Sequence, residues 1–133
     1  MSTKSASIIK TRFEKICFLV HENLYNSKIY FTEALADALR KRGIEVKVIT
    51  IQENHMTDEQ IKSLTLFSPS FSCSFNTMLA QKGGQYLWDM LEIPHLSILV
   101  DPAIYYLSLT KSPYSILSYV DRKDAEVIEA TGF

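Results

Sequence analysis

The chain has 133 residues, 47% of them apolar and 22% charged, and a net charge of -1. That length suits one domain and that composition fills a core, which excludes a disordered tail, while the near-neutral charge excludes the basic face demanded by nucleic acid or acidic lipid. No apolar run approaches the ~20 residues of a membrane span, and Arg12, Glu14 and Lys15 interrupt the layout of a signal peptide, so the expected location is the cytoplasm.

Residues 1–14 read as a flexible N-terminal segment and residues 15–133 as one Rossmann-like domain. The run Ile16-Cys-Phe-Leu-Val20 is apolar without alternation, as in a strand covered on both faces, and it stops at His21-Glu22-Asn23. The spacing of Ile29, Leu35, Ala36 and Leu39 predicts a helix over Tyr30–Arg42, with cations in its last turn and Gly43 as its C-terminal cap. The β-branched run Glu45–Ile51 is a second strand, completing a right-handed βαβ unit. Thr57-Asp-Glu-Gln60 matches a capping box and starts a short helix to about Leu66, which Pro69 forbids from continuing.

Ser70–Phe75 is the third predicted strand, ending at Asn76. Gly83-Gly84 leads into a helix over Gln85–Glu92, stopped by Pro94. His95–Val100 is the fourth strand, closed by Asp101-Pro102, and Ala103–Lys111 is a helical turn or a loop. Ser115–Val120 is the fifth strand, and Asp121 caps a last helix over Arg122–Ala130. Strands alternating with helices predict an α/β doubly wound, three-layer sandwich around a five-stranded parallel sheet, in the order 3-2-1-4-5. Cys17 and Cys73, each inside an apolar stretch, read as buried reduced thiols.

Open parallel sheets bind ligands outside the carboxyl ends of their strands, where the strand order reverses. The residues just past each strand are His21, Glu22 and Asn23, then Gln52, Glu53 and Asn54, then Ser74 and Asn76, then Asp101, and finally Asp121. The same residue types also favour turns and helix caps, so each position carries a plain structural reading as well. Asp101 is the first candidate for chemistry, because Pro102 holds it in extended geometry and aims its carboxylate outward. His21 and Glu22 form a possible acid/base pair, although neighbours leaving a strand point to opposite sides. Tyr105 and Tyr106 offer faces for stacking on a sugar or base, or for packing against a neighbouring domain.

Several chemistries are excluded. The loop after the first strand, His21-Glu-Asn-Leu-Tyr-Asn-Ser27, lacks glycine, so neither a dinucleotide fingerprint nor a P-loop forms there. It also lacks the Ser/Thr-rich cradle of a flavin-binding protein. His21, His55 and His95 are scattered and no Cys-x-x-Cys occurs, so no metal site is expected. A phosphoaspartate receiver would need an acidic pair after the first strand and a lysine ending the fifth, where Glu22 stands alone and Val120-Asp121 follows.

Ser74-Phe75-Asn76, Ile93-Pro94, the strand ending in Asp101-Pro102, and Tyr119-Val-Asp121 before a helix resemble one family. The chain over residues 15–133 is similar to the N-terminal domain of GT-B glycosyltransferases, and among them to the spore-maturation CgeB-like proteins. The resemblance implies an acceptor-side half of an enzyme that moves a sugar from a nucleotide-sugar donor. It places Asp101 as the catalytic candidate, with Asn76 and Tyr105 on the acceptor wall. No cofactor is then expected in this chain. The donor is expected on a second, C-terminal Rossmann-like domain beyond Gly132-Phe133, and these residues alone would be inactive. The His21 loop departs from the glycine-rich first loop of many such enzymes. The alternative is a non-catalytic flavodoxin-like binding or assembly module, with a small molecule, a protein or a second copy of itself as partner.

Overall fold

The computed structural model describes residues 14–21, 27–52, 56–76 and 86–132. The predicted flexible segment lies outside them except for Glu14, as do Glu22, Asn23, Glu53, Asn54, His55, Gly83 and Gly84. Five strands, β1 (Lys15–His21), β2 (Glu45–Ile51), β3 (Phe71–Phe75), β4 (His95–Leu99) and β5 (Ser115–Tyr119), form one all-parallel sheet. The helices are α1 (Ser27–Lys41), α2 (Asp58–Phe67), α3 (Leu87–Leu91) and α4 (Arg122–Glu129), with a 3-10 helix over Ala103–Lys111. The doubly wound α/β class expected from the sequence is the class observed.

The local signals act where they were read. Gly43 takes φ +85°, the left-handed conformation that lets the chain turn from α1 into β2. The capping box closes α2 in both directions: Gln60 N–H donates to Thr57 Oγ1 at 3.1 Å, and Thr57 N–H donates to Gln60 Oε1 at 3.0 Å. Asp121 caps α4 by accepting from Lys123 N–H at 2.9 Å. Helix α1 begins three residues before the predicted Tyr30, which brings Lys28 into its first turn. The ambiguous stretch Ala103–Lys111 is the 3-10 helix, kinked at Tyr106.

Strand order is the correction. The sheet runs β2-β1-β3-β4-β5, not 3-2-1-4-5. The cause is polarity. Phe71 to Ser74 are buried on both faces and suit a central strand, while β2 carries Glu45 and Lys47 and tolerates an edge. The point where the order reverses therefore lies between β1 and β3.

Right-handed crossovers then distribute the helices. The step from β1 to β2 runs one way and puts α1 on one face, over Ile16, Phe18, Phe71 and Cys73. Every later step runs the other way, so α2, α3 and the 3-10 helix share the opposite face, and Ile128 of α4 joins the core there. The main core lies there, built on Cys17, Leu19, Ile51, Leu64, Trp88, Leu99 and Leu109. It includes a buried polar set. The His95 ring stacks on Trp88 at 3.7 Å between centroids and lies between Ser72 Oγ at 2.7 Å and Ser74 Oγ at 2.9 Å. Trp88 Nε1–H donates to Ser112 Oγ at 3.1 Å, and that hydroxyl donates to Asp89. Burial pushes the His95 ring down to about 3, so it is neutral and bonds the two serines through its two nitrogens.

Candidate functional site

At the reversal point β1 and β3 pair only over Ile16–Phe18 and Phe71–Cys73. Beyond that, β1 stays with β2 as far as His21–Ile51, and β3 stays with β4 as far as Phe75–Ile98. The ladder between the two central strands thus ends before their carboxyl ends, at the reversal point where open parallel sheets hold ligands in a crevice.

Asn76 builds the floor of this crevice. It follows β3 at φ +44°, a conformation asparagine tolerates better than most residues. Its Oδ1 accepts from Val100 N–H at 2.9 Å and from Asp101 N–H at 3.3 Å, and its Nδ2 donates to Asp101 Oδ2 at 2.9 Å. Asn76 N–H donates to Ile98 O at 3.1 Å. One amide side chain thereby fixes the backbone leaving β4 and aims the Asp101 carboxylate. From the other side of the crevice, Lys28 reaches back from the first turn of α1 and donates to Asn76 O at 2.8 Å.

The charges in this cluster are coupled. Burial lowers the Lys28 ammonium below its ordinary 10.5, and the Asp101 carboxylate opposes that shift. Burial raises the Tyr106 phenol above its ordinary 10.0, and Asp101 adds to the rise. An ammonium, a carboxylate and an amide therefore meet at the reversal point, with the Tyr106 phenol within electrostatic reach of the carboxylate. They can hold a polyhydroxylated or mixed-charge ligand by donors and acceptors together.

The described residues singled out in the sequence divide among four places. Asn76, Asp101 and Tyr106 come together, and Tyr105 is an exposed face beside them, 68% accessible. His21 is half-buried at the end of β1. Ser74 faces the core instead of the rim, only 1% exposed and bonded to His95. Asp121 is engaged at the α4 cap. Sequence reading missed Lys28, because a lysine in a helical first turn gives no sign of which strand end it reaches.

A groove of about 660 Å³ lies at the opposite end of the sheet, lined by Glu14, Lys15, Arg40, Gly43, Ile44, Glu45 and Val46. Its Lys15 and Glu45 pair at 3.7 Å. Among the described residues no group of three His, Cys, Asp or Glu could hold a metal, and no helix is long and apolar enough to cross a membrane.

Fold and site together define a parallel α/β domain with a polar crevice at its β1/β3 reversal. No protein-family model matches the chain, and no curated protein matches it.

Proposed function

We propose that the chain is the acceptor-side domain of a glycosyltransferase, with the β1/β3 crevice receiving the hydroxyl group to be glycosylated. The observation that carries this reading is the Asn76–Asp101 bond. Two of the short motifs that carry the resemblance to GT-B enzymes, Ser74-Phe75-Asn76 and Asp101-Pro102, meet in one hydrogen-bonded unit through Asn76 and Asp101, 25 residues apart. A carboxylate held in this way can accept a hydrogen bond from a sugar hydroxyl and take its proton as that oxygen attacks the donor. Tyr105 offers an aromatic face to the ring, and Lys28 and Tyr106 supply donors around it. The nucleotide-sugar belongs on a second Rossmann-like domain, and the 15–133 domain by itself binds acceptor without turnover.

Calorimetry tests the reading. The chain is titrated with free hexoses, short oligosaccharides, UDP-glucose and GDP-mannose. Acceptor-type sugars are expected to release heat that Asp101→Ala abolishes, and the nucleotide-sugars to release none. Binding of UDP or GDP alone to this chain would overturn the placement of the donor elsewhere.

The strand order favours a second reading. The order 2-1-3-4-5 is that of flavodoxin-like domains, whose ligand sits at the β1/β3 reversal. A non-catalytic binding module of that topology would use the same crevice for a small molecule and would need no second domain.

A further inference from the structure

The two edges of the sheet are built differently. β2 carries Glu45 and Lys47, and two of its outward carbonyls are covered: Arg40 Nη2 donates to Val46 O at 3.2 Å, and Gln60 Nε2 donates to Thr50 O at 2.8 Å. Charges and side-chain caps of this kind keep an edge from pairing with another chain. β5 has neither. Its sequence, Ser115-Ile-Leu-Ser-Tyr119, contains no charged residue and no proline. His95 N–H donates to Tyr114 O, and from there the alternation of the parallel ladder turns the backbone groups of Leu117 and Tyr119 away from β4. No described side chain bonds them.

The sheet face beside this edge is also open. Among the described residues only α1 covers its side of the sheet, over β1, β2 and β3, because the described crossover helices toward β5 lie on the other face. Ile116 is left 49% exposed there, in register with Leu96, and Leu96 and Ile98 are themselves only partly buried. An apolar face next to an unguarded edge is a surface for association.

We propose that β5 joins two copies of this chain, pairing antiparallel about a twofold axis so that the two sheets become one. Charge selects a second copy at β5 and rejects it at β2. Near a twofold axis each residue meets its own counterpart, so a charge there opposes itself. From Ser112 to Val120 the chain holds no charged residue, whereas Lys47 sits beside the middle of β2. The antiparallel pair satisfies the backbone of Leu117 and Tyr119 and puts both Ile116 side chains on the open α1 side. This inference rests on the sheet edge and is independent of the crevice.

Sedimentation velocity of the 133-residue chain, with amide exchange at Leu117 and Tyr119, tests the proposal. The expected species has twice the 15.2 kDa chain mass, and its two amides lose protection on dilution. With Leu117 of one copy paired to Tyr119 of the other, the axis passes at Ser118, so Ser118→Lys sets a charge beside its own counterpart and, separately, Ile116→Lys sets one on the joined apolar face; each position is exposed and each variant is expected to be a folded monomer. A wild-type chain that stays monomeric at the highest soluble concentration overturns the proposal, as does a dimer surviving both lysine substitutions. A monomer with protected β5 amides would assign the edge to another segment and overturn it equally.

Discussion

Asn76 concentrates more of the crevice geometry than any other described side chain, because its amide serves two strand ends at once. Removing it leaves the Val100 and Asp101 amides without their acceptor and the Asp101 carboxylate without its donor. Asn76→Ala is therefore expected to cost about 2 kcal/mol in urea unfolding, several ordinary hydrogen bonds being partly replaced by water. Asp101 is exposed and loses a single bond on truncation. Asp101→Ala should cost less than about 1 kcal/mol, separating the residue's effect on ligand from its effect on folding. Both positions were legible in the sequence, since each is a polar residue just past a predicted strand. Lys28 was not, because its role depends on α1 lying across β3. His95 was also hidden: before a run of apolar residues it reads as a strand start, and nothing local shows that serines and a tryptophan enclose it.

The enclosure of His95 has a pH consequence. Its folded value is about 3 against an ordinary 6.5, so between those values the unfolded chain binds a proton that the folded chain refuses. The stability held above pH 6.5 is lost as pH falls through that window, at up to about 1.4 kcal/mol per pH unit. Urea unfolding followed by emission of Trp88, the single tryptophan, should show this slope, and His95→Gln should flatten it. An unchanged slope in His95→Gln would assign the acid sensitivity to other groups.

Among the elements, those with a local chemical cause were the most legible. The α2 capping box, the Gly43 turn, the Asp121 cap and the proline stops each act within a few residues, and their positions follow from the sequence. The 3-10 helix was ambiguous because Ala103–Lys111 is apolar without a clear period and is held from outside, by Asp124 accepting from Ala103 N–H at 3.0 Å. The continuous apolar character of β1 and the small residues of β3 signal burial on both faces. Burial raises the thiols of Cys17 and Cys73 to about 12, so neither supplies thiolate at neutral pH. Native protein is expected to resist a disulfide-exchange reagent that titrates both thiols after denaturation. Rapid labelling of either in the native state would show that β1 or β3 opens far more readily than a central strand should.

At the scale of the whole molecule, the class of fold was legible and the order of strands was not. Alternating strands and helices dictate a parallel sheet, but periodicity says nothing about which side of β1 receives β3. The distinguishing signal was polarity, with Glu45 and Lys47 marking β2 as an edge and Phe71 to Ser74 marking β3 as central. That choice moves the reversal point to β1/β3 and so makes Asn76 a central residue of the crevice instead of an edge residue. In the proposed function the Asn76–Asp101 unit receives a sugar hydroxyl. Amide-resolved NMR of the labelled chain, titrated with a panel of acceptor sugars, tests it most directly. The account predicts that the resonances of Asn76, Val100, Asp101 and Lys28 move together and saturate, and that Asp101→Ala abolishes the shifts without altering the rest of the spectrum. Saturable shifts confined to the opposite end of the sheet, or none with any sugar, would contradict it.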